Sequence, residues 1–205
     1  MTDTQPRREH MLEIAYGLFN SRGYHQTGID LIMRASGVSK TTMYKHFRTK
    51  EDFILEILKR RSATLLLGMK DRMDKSVGGN PEFARHARIS AILDAIEDWI
   101  ASGAFSGCNF VRAALEYGAS DNPIRQHAVA HKTAVKNLIA TSLTELPEQE
   151  RDPLAEQIML VLEGAIVTAY VRRPPDTIRN ARAIVDALLR RSYGSNSVPE
   201  GSARA

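Results

Sequence analysis

Apolar residues recur at helical spacing along the whole chain, and this pattern limits the fold to the all-α class. Near the N-terminus, Met11, Ile14, Ala15, Leu18 and Phe19 have the spacing i, i+3, i+4, i+7, i+8, which places them on one helix face. No convincing strand alternation and no internal repeat accompany this pattern. The spacing and the turn residues predict about nine helices, three short ones followed by six that are mostly longer.

The second helix is predicted from a capping pattern. Thr27 and Asp30 have the spacing of a capping box, in which the side chain at each end binds a free backbone N–H group at the other. Gly37 follows the apolar residues of this helix and is expected to end it, because glycine adopts the left-handed conformation without strain. These signals predict a short helix between Thr27 and Gly37.

The third and fourth helices begin at similar signals. Ser39 is the N-cap candidate of the third helix, since its hydroxyl can accept from a free backbone N–H group. Thr49 and Asp52 repeat the capping-box spacing, and a long fourth helix is expected to run from there to about Lys75. Two short helices joined by a tight glycine-containing turn are the helix-turn-helix arrangement.

Five more helices are predicted in the rest of the chain, separated by segments rich in Gly, Pro or acidic residues. Their approximate ranges are 82–102, 108–117, 121–143, 154–172 and 177–191. The segment 144–153 is expected to be an acidic connection. The predicted domains are residues 1–50, which contain the helix-turn-helix, and residues 51–192, which contain the remaining helices. Residues 193–205 are polar and small and are expected to be a disordered tail.

Composition favours a cytoplasmic protein without a membrane segment. The apolar content of 43% is enough for a packed core, and the single cysteine, Cys108, excludes an internal disulfide. The N-terminus shows no apolar signal segment. The longest apolar run, 158–171, contains Glu163 and is shorter than the about 20 residues that a membrane span requires. We expect no cofactor and no metal.

The positive charge is confined to the first third of the chain. Residues 1–61 contain 11 Lys and Arg against 7 Asp and Glu, whereas residues 62–205 contain 17 of each kind. An asymmetry of this kind indicates that the first part binds a polyanion, usually nucleic acid or an anionic membrane.

The third helix has one face suited to DNA. With Met43 at the centre of the buried side, Phe47 lies about 40° away, whereas Thr41 and Lys45 lie about 160° and 200° away and point outward. Residues 39–50 contain no Asp or Glu, although a solvated surface helix usually carries acidic residues as well as lysine. Hydroxyl and ammonium groups can bind base edges and phosphates in a major groove.

Residues 7–60 resemble the N-terminal DNA-binding module of the TetR family of transcriptional regulators. The motifs that carry this resemblance occur in order, and they are LF (Leu18, Phe19), GY (Gly23, Tyr24), Thr27, Ile32, GVS (37–39), Tyr44, HF (His46, Phe47) and TKE (49–51). Met33 and Ser36 depart from the pattern, since the family usually has alanine at both positions. Neither departure touches the expected DNA face.

The resemblance implies a regulator that is not an enzyme. It implies a three-helix module whose third helix reads the major groove, a fourth helix leading to a six-helix effector-binding domain, and a homodimer on a palindromic operator. Lys40, Thr41, Thr42 and Lys45 would approach bases or phosphates. Tyr44, His46 and Lys50 would contact the DNA backbone, and Thr27 would lie at a phosphate. The expected function is a repressor released by a small-molecule effector.

The two last helices are the expected dimer interface. The helix 154–172 is apolar on nearly all sides, with Val161, Ile166, Val167 and Val171 assigned to a second surface outside its own domain. The helix 177–191 carries small residues that allow close approach. Together they predict an intersubunit four-helix bundle, which the resemblance also implies. The alternative is burial within one subunit.

An effector pocket is expected between helices of the second domain. The candidate lining residues are aromatic, apolar or charged side chains at positions that interrupt or flank apolar faces: Trp99, Phe105, Phe110, Arg112, Tyr117, Met159, Glu163 and Tyr170. Each is also compatible with ordinary core packing. Glu163 needs a partner if it is buried, and Arg112 is one candidate.

Three alternatives stay open from the sequence. His127 and His131 have i, i+4 spacing and could bind a metal, which would suit a small metal-dependent enzyme, although no third ligand is evident. Cys108 could sense redox state or electrophiles rather than be a structural thiol. A regulator of the same fold could also be an activator.

Overall fold

The computed structural model describes residues 4–76 and 81–194. Within these ranges the chain forms nine α-helices and no β-strand, which confirms the all-α prediction. The helices are α1 (Thr4–Arg22), α2 (Ile29–Ser36), α3 (Lys40–His46), α4 (Lys50–Lys75), α5 (Pro81–Ala101), α6 (Asn109–Glu116), α7 (Pro123–Ala140), α8 (Glu148–Val171) and α9 (Thr177–Gly194).

The described residues fall into two compact units. Unit 1 comprises the residues up to Leu65 together with Cys108–Lys132, and unit 2 comprises Leu66–Gly107 together with the residues from Thr133 onward. The division falls inside α4 and again inside α7. The domains predicted as residues 1–50 and 51–192 are divided at a different position, and that functional division stays a prediction.

Local capping confirms the predicted starts of α3 and α4. Ser39 has an extended backbone, and its Oγ accepts from the backbone N–H of Thr42 at 3.2 Å. Thr49 and Asp52 form a reciprocal capping box: the Asp52 N–H donates to Thr49 Oγ1 at 3.0 Å, and the Thr49 N–H donates to Asp52 Oδ2 at 3.1 Å. Gly37 ends α2 in the left-handed conformation, with φ of 67°.

The capping box predicted for α2 is wrong. Gly28, not Thr27, is the N-cap residue, and no side chain caps this helix. Thr27 is fully buried, and its Oγ1 donates to the carbonyl of Gly23 at 2.7 Å. A buried hydroxyl requires a hydrogen-bond partner, and the loop between α1 and α2 supplies one before α2 begins.

The segment 144–153 is not wholly a connection, because α8 begins at Glu148. Pro147 is the extended N-cap residue, and the carboxylates of Glu148 and Glu150 lie in the first turn, where the helix dipole favours them. Pro153 is therefore inside the helix, as its sixth residue, where it cannot donate a backbone N–H to the carbonyl of Gln149. Residues 77–80 of the predicted loop and 195–205 of the predicted tail lie outside the described residues.

Unit 1 has a core that α2 and α3 share with other helices. Met43 and Phe47 of the helix-turn-helix are buried together with Phe53 and Ile54 of α4. Phe110 of α6 belongs to the same cluster. The module that carries α3 is thus held by residues that lie far apart in the sequence.

Unit 2 has its own core, built on the packing of α8 against α9 and of α5 against both. By length and composition, α8 could cross a membrane. Six of its buried residues nevertheless pack into this core, and Ala169 is buried as well. The six are Leu154, Ala155, Ile158, Met159, Leu162 and Ala165.

Candidate DNA-binding surface

The helix α3 is anchored by two buried side chains and exposes the residues between them. Met43 is fully buried and Phe47 is 5% exposed, with the Phe47 ring 4.5 Å from that of Phe53 in an edge-to-face arrangement. The predicted outward residues Lys40, Thr41, Tyr44 and Lys45 are all exposed. This agrees with the face expected from the helical spacing.

Three other predicted contacts are only partly exposed. Thr42 Oγ1 lies 3.0 Å from Ser39 Oγ, so the hydroxyl is engaged at the start of α3. His46 is half-buried, and among the described atoms its Nε2 is buried without a hydrogen-bond partner. The Nζ of Lys50 donates to the carbonyl of His25 at 3.4 Å. Partial burial lowers the pKa of the Lys50 ammonium, because desolvation disfavours the charged form.

Thr27 was predicted to lie at a phosphate, but its side chain does not reach the surface. The residue is 0% exposed, and its hydroxyl donates to Gly23 inside unit 1. The side chain of Thr27 is therefore not available to DNA in this structure.

An ion-pair network joins α1 to α4 beside this surface. Glu56 Oε1 accepts from Arg8 Nη2 and from Arg60 Nε, both at 2.9 Å, and Arg60 also donates to both carboxylate oxygens of Glu9. The hydrogen bond from Arg60 is the main cause that lowers the pKa of the Glu9 carboxyl group. The hydrogen bond from Arg8 is the main cause that lowers the pKa of the Glu56 carboxyl group. The Arg8 guanidinium lies 5.2 Å from the centre of the Phe47 ring.

The carboxylate of Glu116, at the end of α6, holds the loop between α1 and α2. Its Oε1 accepts from the Tyr24 N–H at 3.0 Å, and its Oε2 accepts from the His25 N–H at 2.5 Å. The Glu116 carbonyl also lies 2.7 Å from His25 Nε2. Gly23 has φ of 87°, and a Cβ built there would lie 3.0 Å from Glu116 Oε1. We call this set of contacts the Glu116 clamp.

Arg112 lies one helical turn before Glu116 and reaches the end of α1. Its Nη1 donates to the carbonyls of Phe19 and Asn20, at 3.1 and 2.7 Å. A cation at the C-terminus of a helix binds the last carbonyls, which have no partner within the helix. Arg112 and Glu116 therefore both position the segment that leads into α2. This role was not predicted from the sequence, in which the i, i+4 spacing of the two residues on α6 shows only that they share a helix face.

The comparisons with known proteins agree with this geometry. Residues 11–57 match the family model described as bacterial regulatory proteins, tetR family, and residues 86–184 match the model of the LmrA/YxaF-like transcriptional regulator C-terminal domain. The chain belongs to the TetR family of transcriptional regulators. TetR-family regulators are not enzymes, so the alternative of a small metal-dependent enzyme is discarded.

Individual TetR-family proteins are similar over most or part of the chain. The regulator YjdC of Escherichia coli K12 is 22% identical over 90% of this chain and 94% of its own. The transcriptional activator FasR of Mycolicibacterium smegmatis is 35% identical, over 44% of this chain and only 41% of its own. The crystal structure of SCO4454 from Streptomyces coelicolor superposes with a TM-score of 0.84 at 22% identity, covering 94% of this chain and 91% of that one, and it shows the same fold.

His131, one of the two histidines with i, i+4 spacing, binds a residue of α4. His131 Nδ1 lies 2.8 Å from Ser62 Oγ, and the His131 ring stacks on Phe110 with centroids 3.6 Å apart. His127 lies one turn earlier on α7. Among the described residues no three His, Cys, Asp or Glu side chains lie together as a metal site. Burial, followed by the charge of Lys132, lowers the pKa of His131 to about 4.

The candidate effector residues are divided between the two units. Phe110, Arg112 and Tyr117 lie in unit 1, where Phe110 and Tyr117 belong to the core. A pocket lined by them stays a prediction, as does the pairing of Arg112 with Glu163. Cys108 is half-buried and is the N-cap residue of α6, and its sensing role also stays a prediction.

The other five candidates lie in unit 2. Trp99 and Phe105 are in edge-to-face contact with centroids 4.9 Å apart, and Tyr170 lies 6.4 Å from Phe105. All three rings are at least partly exposed. Met159 is buried in the core of unit 2, whereas Glu163 is half-buried on the same helix. The structure thus brings the three aromatic side chains together as one group.

Apolar side chains on α8 are also left exposed. Leu160, Val167 and Val171 are 62%, 50% and 70% exposed, and their spacing places them on one face. Val161 and Ile166, which the sequence assigned to the same second surface, are half-buried and pack partly against the core of unit 2. Their place in a dimer interface stays a prediction. On α9, an exposed strip is formed by Ala183, Ile184 and Ala187.

Proposed function

We propose that this TetR-family regulator is a cytoplasmic repressor that binds a palindromic operator as a homodimer and is released by a small-molecule effector. The observation that carries the proposal is the face of α3. It exposes hydroxyl, phenol and ammonium groups and contains no carboxylate, while Met43 and Phe47 fix its orientation from the buried side. Such a face suits a major groove.

The roles of the α3 residues follow from their exposure. Lys40, Thr41 and Lys45 approach bases or phosphates in the major groove, and Thr42 joins them from the start of the helix. Tyr44 contacts the DNA backbone, and His46 does so with the part of its ring that is not buried.

Lys50 already has a hydrogen-bond partner within unit 1, so its proposed contact with DNA requires its side chain to move. It contacts a phosphate by moving Nζ away from the His25 carbonyl. A phosphate oxygen is a stronger acceptor for an ammonium than a neutral carbonyl, so this exchange is favourable.

Dimerisation is proposed through α8 and α9. The exposed apolar residues of α8 and the small residues of α9 would be buried when two copies pair, and large exposed apolar patches often mark protein–protein interfaces. A two-fold interface brings two α3 helices to one operator. Their half-sites must lie about 34–36 Å apart, or multiples of that distance, to present successive major grooves.

The effector is proposed to bind in the domain that contains α5 and α8, beside the aromatic group of Trp99, Phe105 and Tyr170. Aromatic side chains with a few polar groups are typical of small-molecule sites. Binding would change the tilt of α4 and move the two α3 helices out of register with the grooves.

Trp99 is the only tryptophan in the chain, so its fluorescence reports on this group directly. Quenching by lipophilic or cationic compounds that also release DNA would support the proposed position.

The experiment that tests the DNA face is binding of the purified protein to the DNA that flanks its own gene, measured across salt concentrations. The variant Lys45→Ala removes one exposed ammonium from α3. The control Lys70→Ala removes an exposed ammonium from α4 in unit 2. We expect Lys45→Ala to weaken binding about tenfold or more and Lys70→Ala to change it little. Equal affinity of Lys45→Ala and wild type would contradict the role of α3.

The second candidate is an activator of the same fold, which the similarity to FasR favours, since FasR is named an activator. Transcription in vitro from the bound promoter separates the two functions. A repressor lowers transcript yield as protein is added, and an activator raises it.

A further inference from the structure

A cleft in unit 1 separates the first turns of α1 from the turn between α2 and α3. Its volume is about 520 Å³, and its walls include Arg7 and His10 on one side and Gly37, Ser39 and Thr42 on the other. The cleft therefore opens at the start of α3, directly beside the exposed Lys40 and Thr41.

The lining of this cleft suits an anion. Arg7 supplies a permanent positive charge and five N–H donors, and His10 supplies a ring N–H donor. Hydroxyl groups come from Ser39 and Thr42, and no residue of the lining is acidic. Both Arg7 and His10 are exposed on α1, so a group that enters from solvent can reach them.

The position of the cleft next to α3 indicates that the anion is a phosphate of DNA. Thr42 belongs both to the cleft and to the proposed reading face, so a DNA strand that crosses α3 passes the cleft as well. A duplex presents one phosphate on each strand for about every 3.4 Å of its helix axis, so phosphates pass close to this wall. A volume of about 520 Å³ is ample for one phosphodiester group with its bound water.

We propose that this cleft binds one backbone phosphate of the operator, with Arg7 as the main cation and His10 as a second donor. The cleft would fix the position of α1 on the DNA backbone while α3 lies in the groove. It adds contacts that carry no sequence information but set the register of the module on the duplex. The inference rests on the proposed DNA face of α3.

The test compares Arg7→Gln, Arg7→Lys and the control Arg22→Gln in the full chain. Arg22 is exposed at the opposite end of α1 and does not line the cleft. Affinity for an operator duplex and for a scrambled duplex is measured by fluorescence anisotropy between about 50 and 300 mM salt, a range over which the Debye length falls from about 14 to about 6 Å. Inorganic phosphate at millimolar concentration is the probe for a free anion.

Loss of one phosphate contact in each subunit lowers the salt slope by about 0.9 per contact, hence by about 1.8 for a dimer. At about 0.1 M salt this corresponds to roughly an eightfold loss for each contact. We expect Arg7→Gln to show this loss equally on both duplexes and Arg7→Lys to retain most of the slope. Arg22→Gln should match wild type, and inorganic phosphate should compete only weakly.

Several results would overturn the inference. Arg7→Gln with the slope and affinity of wild type would show that the cleft holds no phosphate, and equal losses for Arg7→Gln and Arg7→Lys would show a role other than charge. Tight competition by inorganic phosphate would assign the cleft to a free anion. If Lys45→Ala still binds like wild type, the DNA face itself is wrong, whereas a defect in Lys45→Ala alone rejects only the cleft.

Discussion

The Glu116 clamp gives a prediction whose size follows from two hydrogen bonds. Glu116→Ala removes the carboxylate that accepts from the N–H groups of Tyr24 and His25. A hydrogen bond to a charged group contributes about 1.5–3 kcal/mol, and the His25 end is exposed, so water replaces part of the loss. We therefore expect unit 1 to lose about 2 kcal/mol of unfolding free energy. Glu116→Gln keeps one acceptor oxygen and should lose about half as much.

Amide hydrogen exchange measures this effect where it occurs. A local loss of about 2 kcal/mol corresponds to roughly 30-fold faster exchange at the amides of Tyr24 and His25. The control is Glu13→Ala, which removes an exposed carboxylate from the middle of α1. Gly23→Ala offers a second perturbation of the same site, because φ of 87° disfavours alanine and the added Cβ approaches Glu116. Unchanged exchange in Glu116→Ala, or equal acceleration in Glu13→Ala, would refute the reasoning.

Three other perturbations test separate parts of the structure. The pKa of His131 is depressed from its usual 6.5 to about 4, so the folded state favours the neutral ring. The contribution of His131 to the unfolding free energy is therefore fully present above about pH 6.5. It is lost as the pH drops toward 4, which lowers the unfolding free energy by about 3 kcal/mol. Urea unfolding from pH 7 to 4.5 should show a smaller decline in His131→Gln, and parallel curves would argue against a buried neutral histidine. Ser39→Ala removes the N-cap of α3 and should cost about 1 kcal/mol in urea unfolding, together with weaker DNA binding; no change in either would count against the cap. Val167→Glu places a charge on the exposed apolar face of α8 and should yield monomers in sedimentation equilibrium at micromolar concentration, and a persisting dimer would place the interface elsewhere.

Local signals in the sequence predicted the start and the buried face of α3 correctly. Ser39 caps α3, and Thr49 and Asp52 cap α4, because each partner lies within three residues and the backbone geometry alone brings them together. The burial of Met43 and Phe47 follows from helical spacing in the same way.

Thr27 shows where the local signals failed. Its spacing to Asp30 fits a capping box, but its hydroxyl binds Gly23 in the preceding loop, and tertiary burial decided the outcome. The start of α8 was missed because proline usually ends or interrupts a helix, whereas Pro153 is the sixth residue of this one.

The Glu116 clamp was beyond prediction from a single sequence. Its carboxylate binds backbone N–H groups, which every residue except proline carries, so no residue type marks the partners. The partners also precede Glu116 by about 90 positions. The exposed residue Leu160 on α8 was missed for a related reason, because an apolar side chain on an apolar helix gives no sign of which face the core covers.

The ratio of two dissociation constants tests the central claim most directly. The operator is first selected from random duplexes with the wild-type protein, and affinity is then measured for this operator and for a scrambled duplex at one fixed salt concentration. The claim that α3 reads DNA predicts that wild type prefers the operator by about 10³-fold or more and that Lys45→Ala loses much of this preference. Equal affinity of wild type for both duplexes, or an unchanged ratio in Lys45→Ala, would contradict it.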